Sequence, residues 1–193
     1  MKKNKIFKEN LTSKLLQKQA LKILKKQSKK NVCEVGCGDG NISNYLISNL
    51  KKKHYFYLSD ISRNAINAAK KKISYNNITF KVGSLLSPWK NQKFDVVISD
   101  ISSLSQPVAD KSSWYKGVVS NCGIDGLKNL NKLFNQINKN LKPSGILIIP
   151  IISLSNTIKL KKNLKKKFKF FKESKRTYWP IPMFFKQNIN LFD

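Results

Sequence analysis

The sequence predicts an α/β fold built on a doubly wound, mostly parallel sheet. Two observations support this prediction. Short runs with the composition of buried strands alternate with longer runs in which apolar residues recur every three or four positions. A glycine-rich turn also follows the first predicted strand and leads directly into a helix. Strands that alternate with helices are typical of parallel sheets with helical crossovers.

The first half of the chain contains an opening helix and four strands. Apolar residues at helical spacing predict an amphipathic helix over residues 11–26, capped by Thr12 or Ser13. The predicted strands are residues 31–36, 54–59, 78–82 and 94–99. Helical patterns separate the first three strands, and a loop-rich stretch follows the fourth.

The second half predicts the remaining elements of the sheet. A long helix is predicted over residues 127–141, and the helix-breaking residues Pro143, Ser144 and Gly145 follow it. A fifth strand covers residues 146–149. A lysine-rich helix at about residues 156–166 precedes two further strands, at residues 168–171 and at about 183–189. The last two are joined without a helical pattern and should pair antiparallel. We therefore expect a seven-stranded sheet with an antiparallel final strand.

This organisation predicts one domain over residues 31–193, with residues 1–30 forming an amphipathic helical segment that packs on it. No apolar run approaches the ~20 residues needed to span a bilayer, and no secretory signal pattern follows the lysine-rich start. We expect a cytoplasmic protein without a membrane partner, and the sequence does not indicate its oligomeric state.

The charge balance is strongly basic. Lysine and arginine number 38 against 10 acidic residues, a formal net charge of +28. Such a field attracts polyanions, so RNA, DNA or the ribosome are candidate partners, and AT-rich codon usage is the alternative explanation. The cysteines Cys33, Cys37 and Cys122, with His54 as the single histidine, predict neither a metal site nor a disulfide framework.

The residues from Glu34 to Gly40 carry the strongest functional signal. They read Glu-Val-Gly-Cys-Gly-Asp-Gly and stand where the first strand meets its helix. Glycines at such a turn let the backbone approach a ligand closely. A dinucleotide-binding turn would space its glycines as G-x-G-x-x-G, whereas here they fall as G-x-G-x-G with an acid two residues before the first. The acid disfavours a pyrophosphate and favours a positively charged ligand.

Acidic residues concentrate at the ends of predicted strands. Four of the ten, Glu34, Asp39, Asp60 and Asp100, lie at or just beyond strands one, two and four. Ligands of open α/β sheets bind at this carboxyl edge. Asp60 stands where an acid accepts hydrogen bonds from ribose hydroxyls, and its alternative role is to cap the following helix. The alternative for Glu34 is a buried acid bonded to loop amides.

These segments resemble motifs of class I S-adenosylmethionine-dependent methyltransferases, and the resemblance extends from about residue 31 to residue 150. It implies a Rossmann-like fold with S-adenosylmethionine as the cofactor, whose sulfonium and amino group suit acidic surroundings. Ser84 stands where the family often has an acid near the adenine. The cofactor-binding residues that the resemblance implies are Glu34, Gly36, Cys37, Gly38, Gly40, Asp60, Ile61, Ser84 and Asp100.

Within that class, residues 123–127 and 141–145 are similar to the branch of the release-factor glutamine methyltransferases. The branch implies Asn-Pro-Pro-Tyr after strand four, which holds the acceptor amide, whereas this chain has Asp-Ile-Ser-Ser at residues 100–103. Asp100 is the expected catalytic residue, either accepting a hydrogen bond from an acceptor amine or acting as a base. The aromatic ring of the Asn-Pro-Pro-Tyr motif is absent from residues 100–103, and Trp114 or Tyr115 would supply it. The alternative is that these two side chains only cover the edge of the sheet.

The leading hypothesis is a methyltransferase that acts on a macromolecule, either a nucleic acid or a ribosome-associated protein. A small-molecule methyltransferase is the second hypothesis, for which the positive charge would be incidental. A third is a catalytically silent relative that binds RNA or a partner protein, which the altered strand-four motif permits.

Overall fold

The computed structural model of the chain describes residues 9–111 and 121–178. The chain divides into two compact units. The first comprises Met1–Ile101 and Leu130–Pro150, and the second comprises Ser102–Asn129 and Ile151–Asp193. All strands of the described residues lie in the first unit.

Within the described residues, five parallel strands form one sheet in the order β3-β2-β1-β4-β5. The strands are β1 (Asn31–Val35), β2 (Tyr55–Asp60), β3 (Ile78–Val82), β4 (Phe94–Ser99) and β5 (Leu141–Ile148). The chain first builds outward from β1 to β3 and then continues on the other side of β1 with β4. This order reverses direction beside β1, as in doubly wound Rossmann-like sheets, and confirms the predicted α/β class.

The described residues form six helices, and a helix lies between each pair of consecutive strands except β3 and β4. They are α1 (Leu11–Leu24), α2 (Asn41–Asn49), α3 (Arg63–Lys72), α4 (Gln106–Lys111), α5 (Lys128–Asn140) and α6 (Thr157–Lys167). In the first unit, α1 packs against α2, and its residues Leu16, Ala20 and Leu24 are buried in the same core as Phe56 and Val96 of the sheet. No helix among the described residues is long and apolar enough to cross a bilayer.

Helix α1 begins differently from the prediction. Its N-cap is Asn10, whose side chain accepts a 3.0 Å hydrogen bond from the Ser13 amide, so neither Thr12 nor Ser13 is the cap. The Ser13 hydroxyl in turn lies 3.4 Å from the Asn10 amide nitrogen and completes a capping box. Ser13 is therefore the third residue of the helix, with its side chain turned back toward the helix start.

The register of the strands aligns their carboxyl ends. Val35 of β1 pairs with Ser59 of β2 on one side and with Ser99 of β4 on the other. Consequently the residues that follow these three positions, Gly36, Asp60 and Asp100, emerge at the same edge of the sheet.

Two predicted elements near the carboxyl end need correction. Helix α5 ends at Asn140, whose buried side-chain amide donates to the carbonyls of Trp89 (2.7 Å) and Gln92 (3.0 Å). Strand β5 begins directly afterwards, at Leu141, and residues 143–145 lie where its register against β4 shifts. Residues 168–171 are not a strand; their phenylalanine-rich composition fits one, but a strand also needs a paired neighbour. The predicted neighbour, at about residues 183–189, lies outside the described residues.

Candidate functional site

The turn between β1 and α2 has a backbone that requires glycine. Gly36, Gly38 and Gly40 adopt φ values of +70°, +55° and +78°. These backbone conformations are strained for L-residues that carry a Cβ atom. A Cβ atom at Gly36 would lie 2.7 Å from Cγ2 of Ile101, and one at Gly40 would lie 2.7 Å from Cδ1 of Ile73. The turn is therefore packed tightly on its protein side and presents bare backbone at the sheet edge.

The amides of this turn are already bonded within the protein. Gly36 and Cys37 both donate to the Ser59 carbonyl, at 2.8 and 3.0 Å, and Gly38 donates to Oδ2 of Asp60 at 2.9 Å. Because an N–H group donates one good hydrogen bond, these three amides do not offer the donors that a pyrophosphate needs. The geometry agrees with the glycine spacing in disfavouring a dinucleotide.

Glu34 lies beneath the turn and is buried, with 1% of its surface exposed. Its Oε2 accepts from the Ser43 amide at 3.0 Å and from the Ser43 hydroxyl. Ser43 is the third residue of α2, so the carboxyl group caps a helix whose own N-cap, Gly40, has no side chain. The alternative expected for Glu34 is a buried acid bonded to loop amides; the acid is buried, but the amide that it accepts from belongs to the first turn of α2.

Burial raises the pKa of Glu34 from 4.5 to about 8. The hydrogen bonds from Ser43 oppose that rise, and the charges of Asp100 and Asp39 add to it. Asp39 itself forms a 2.6 Å ion pair with Lys72. Burial is thus the main reason that Glu34 resists ionisation, and the neighbouring carboxylates add a smaller contribution.

Asp60 connects the glycine turn to the start of α3. Its Oδ2 accepts from Gly38, and its Oδ1 accepts from the Ser62 amide at 2.8 Å. The N-cap of α3 is Ser62, whose hydroxyl accepts from Ala65, so the alternative role of Asp60 as the helix cap is wrong. Each carboxylate oxygen keeps a second lone pair, with which it can accept from a ribose hydroxyl.

Two side chains form the rim beside Asp60. Ile61 is apolar yet 69% exposed, and Ser84 is exposed in the turn that follows β3. Ser59 fixes that turn from β2, since its hydroxyl donates to the Leu85 carbonyl at 3.0 Å. An exposed aliphatic face next to a hydroxyl suits a flat, polar-edged ring such as adenine.

Asp100, directly after β4, is held by helix α1. The Ser13 hydroxyl donates to Oδ2 of Asp100 at 2.5 Å. Burial raises the pKa of Asp100 from 3.8 to about 6; the bond from Ser13 opposes the rise, and the charge of Glu9 adds to it. No local sequence pattern predicts this contact, because the two residues are 87 positions apart.

A second α1 side chain reaches the same edge. Gln17 is 6% exposed, donates to the side chain of Glu9 and lies 3.4 Å from the carbonyl oxygen of Asn41 at the start of α2. A buried glutamine on the apolar face of a lysine-rich helix was the available sequence signal, since buried polar groups need partners. The first turns of α1 therefore belong to the site.

The structure brings most predicted site residues together. Gly38 is bonded to Asp60, Gly36 packs against the residue after Asp100, and the charge of Asp100 acts on Glu34. Cys37 is buried at 5% exposure, so its side chain faces the core. Trp114 and Tyr115, the proposed substitutes for the missing ring, lie outside the described residues.

The carboxylates of the site suit a cationic ligand. Among the described residues, neither lysine nor arginine forms a salt bridge with Glu34, Asp60 or Asp100, although the chain carries 38 basic residues. Burial raises the pKa of Glu34 and of Asp100, and the charge of Asp100 raises the pKa of Glu34 further. A bound positive charge would stabilise the ionised carboxylates, and the sulfonium and amino group of S-adenosylmethionine fit such a donor set.

Comparisons with known proteins support the same assignment. A family profile described as a methyltransferase domain matches residues 26–183. A curated relative, malonyl-[acyl-carrier protein] O-methyltransferase 2 of Ilyobacter polytropus, is 24% identical over 136 residues, which are 70% of this chain and 44% of the relative. The chain thus spans less than half the length of that protein.

Solved structures with the same fold include two methyltransferases. A ribosomal protein L11 methylase from Lactobacillus delbrueckii subsp. bulgaricus aligns with a TM-score of 0.61 at 19% identity, over 82% of this chain and 69% of the other. A T. thermophilus 16S rRNA N2 methyltransferase, solved with AdoMet and guanosine, aligns with a TM-score of 0.58 at 14% identity, over 84% and 39%. Since the profile covers most of the chain, the chain belongs to the methyltransferase domain family, the S-adenosylmethionine-dependent methyltransferases of class I.

Proposed function

We propose that the protein transfers the methyl group of S-adenosylmethionine to a macromolecular acceptor, either a nucleic acid or a ribosome-associated protein. One observation carries the cofactor assignment: three carboxylates without a basic partner in the described residues surround a bare glycine turn, in a protein of net charge +28. The net charge supports the polyanionic or ribosomal setting of the acceptor.

Each predicted site residue has a role in this proposal. Gly36, Gly38 and Gly40 would let the methionine part of the cofactor approach the backbone, and Cys37 would shape the turn, since its amide and carbonyl bond within the protein. Asp60 would accept hydrogen bonds from the ribose hydroxyls. Adenine would pack on Ile61 near Ser84. Glu34, whose pKa is about 8 in the free protein, would release its proton to solvent when the cationic cofactor binds and would then supply negative charge.

Asp100 is the proposed catalytic residue. The cofactor supplies a methyl group already activated by its sulfonium, so the protein mainly positions the acceptor in line. With Oδ2 of Asp100 fixed by Ser13, Oδ1 would accept a hydrogen bond from the acceptor amine and then take its proton. A pKa of about 6 keeps the carboxylate ionised at neutral pH and close enough to that pH to act as a base.

The proposal also narrows the kind of acceptor. An asparagine at this position both donates to and accepts from an acceptor amide, whereas an ionised aspartate only accepts. We therefore propose an amine acceptor for this divergent relative of the release-factor glutamine methyltransferase branch. Residues 1–30 would form an amphipathic helical segment that packs on the methyltransferase domain of residues 31–193, which the burial of Leu16, Ala20 and Leu24 supports.

Labelled methyl transfer tests the proposal. The purified protein would be incubated with methyl-labelled S-adenosylmethionine and total RNA, ribosomes or protein extract, beside the variant Asp100→Asn. We expect the wild type to label one macromolecular fraction and the variant to bind the cofactor without labelling. Transfer only to small molecules would support the small-molecule alternative, and binding without any transfer would support the silent relative.

A further inference from the structure

Helix α6 and the segment that follows it form a basic surface within the second unit. We call residues 157–178 the α6 surface. It contains ten basic residues and one acid, Glu173, which forms an ion pair with Arg176. The basic residues are Lys159, Lys161, Lys162, Lys165, Lys166, Lys167, Lys169, Lys172, Lys175 and Arg176.

The lysines of α6 are arranged on a defined face. Leu160 and Leu164 are buried and anchor the helix. At helical spacing, Lys162, Lys165 and Lys166 lie on the opposite side, and all three are exposed. Like charges at positions i, i+3 and i+4 repel each other and destabilise a helix, so solubility alone would be served better by mixed charges.

Exposed aromatic rings accompany these lysines. Phe170 is 78% exposed and Tyr178 is 84% exposed, within a segment that also carries Lys169, Lys172 and Lys175. Aromatic side chains contribute much of the binding energy at interfaces. Lysines that follow a phosphate backbone, together with rings on which bases stack, are the combination that binds single-stranded nucleic acid.

We propose that the α6 surface binds single-stranded RNA, with Lys162, Lys165 and Lys166 contacting phosphates and Phe170 and Tyr178 stacking on unpaired bases. RNA is the favoured strand, because unpaired bases in loops and ends are its usual recognition sites. A membrane is disfavoured, since Leu160 and Leu164 of α6 are buried and Ile158 is the one exposed apolar residue of this helix. This inference deepens the proposed function, because it names RNA as the macromolecular acceptor. It rests on the proposed function only for the statement that the bound RNA is the acceptor.

The test is binding of a labelled RNA oligonucleotide of about 16 nucleotides, the upper end of usual site sizes, followed by fluorescence anisotropy across salt concentrations. One variant carries Lys162→Gln, Lys165→Gln and Lys166→Gln. Its matched control carries the same substitution at the exposed residues Lys51, Lys52 and Lys53. For single strands, the logarithm of the binding constant falls with the logarithm of the salt concentration by about 0.7 per phosphate contact. Losing three contacts should therefore flatten this slope by about 2 and weaken binding at 0.1 M salt by about 100-fold.

The aromatic contribution has its own pair of variants. Phe170→Ala should weaken binding by about fivefold or more, the lower end of the usual stacking contribution. Ile158→Ala removes an apolar side chain that is 83% exposed on the same surface and should leave binding unchanged. Circular dichroism and thermal melts would verify that each variant is folded.

Three results would overturn the inference. Equal losses in the two lysine variants would mean that the net charge binds RNA without a site, and equal affinity for duplex and single strand would remove the stacking role. Equal affinity for an acidic polypeptide would replace RNA by a protein partner. The variant Asp60→Ala should keep RNA binding while losing the cofactor, so failure of the RNA site and failure of the methyltransferase proposal can be told apart.

Discussion

The buried carboxyl group of Glu34 makes the stability of the protein depend on pH. Its pKa is about 8 in the folded chain, whereas the ordinary value, which holds in the unfolded chain, is 4.5. Between these values the folded state holds a proton that the unfolded state has released, so the free energy of unfolding falls as pH rises and levels off above pH 8. Below pH 4.5 both states are protonated and this effect vanishes.

The substitution Glu34→Gln isolates this contribution. Glutamine has nearly the same shape, keeps an oxygen that can accept from Ser43, and does not ionise. A one-unit difference in pKa corresponds to about 1.4 kcal/mol, so the wild type should lose about 2 to 3 kcal/mol relative to the variant between about pH 6 and about pH 8. Because His54 and Asp100 titrate in both proteins, their contributions largely cancel in the difference.

Urea unfolding of both proteins across this range measures the difference directly. We expect the two curves of unfolding free energy against pH to diverge, with the variant becoming the more stable at the alkaline end. Parallel curves would refute the reasoning, because they would show that Glu34 ionises in the folded chain at its ordinary pKa.

Three further predictions concern the site. Ser13→Ala removes the hydrogen bond that lowers the pKa of Asp100, so the acidic limb of the pH profile of turnover should move to higher pH. Turnover should fall by roughly tenfold, which is part of the ~10²–10⁴ that general-base catalysis contributes. Ser13→Thr should restore both the turnover and the profile, and an unchanged profile in Ser13→Ala would remove Ser13 from the mechanism. Gly40→Ala places a Cβ atom 2.7 Å from Cδ1 of Ile73, at a residue whose φ is +78°. The free energy of unfolding should fall by about 1 kcal/mol or more, and the affinity for the cofactor should fall as well. A thermal melt that matches the wild type would contradict this prediction. A cationic cofactor favours ionised carboxylates, so the affinity of the wild type for the cofactor should rise between about pH 6 and about pH 8. The affinity of Glu34→Gln should rise less over the same range. Calorimetry in two buffers would detect the proton that Glu34 releases on binding.

The central sheet could be predicted from the sequence because its signals are local. Strands β3 and β4 have the predicted limits, and β1 and β2 differ by one residue at one or both ends. Buried strands followed by glycine or aspartate leave a clear pattern, and parallel topology then places those residues at one edge. The candidate site around Gly36, Asp60 and Asp100 follows from this reasoning alone.

The remaining features depend on contacts between distant residues. The bond from Ser13 to Asp100 has no sequence pattern, since any serine in an amphipathic helix looks the same. Helix α4 was missed in a stretch read as loop, because six residues are too few to establish a helical period. At residues 168–171 the reverse occurred: phenylalanine-rich residues favoured a strand, but they have no paired neighbour among the described residues.

Calorimetric titration of the purified protein with S-adenosylmethionine and with NAD tests the central claim most directly. We predict that S-adenosylmethionine binds, that NAD does not, and that Asp60→Ala weakens the binding while the protein stays folded. Binding of NAD in place of S-adenosylmethionine, or unchanged affinity in Asp60→Ala, would contradict the account of the site.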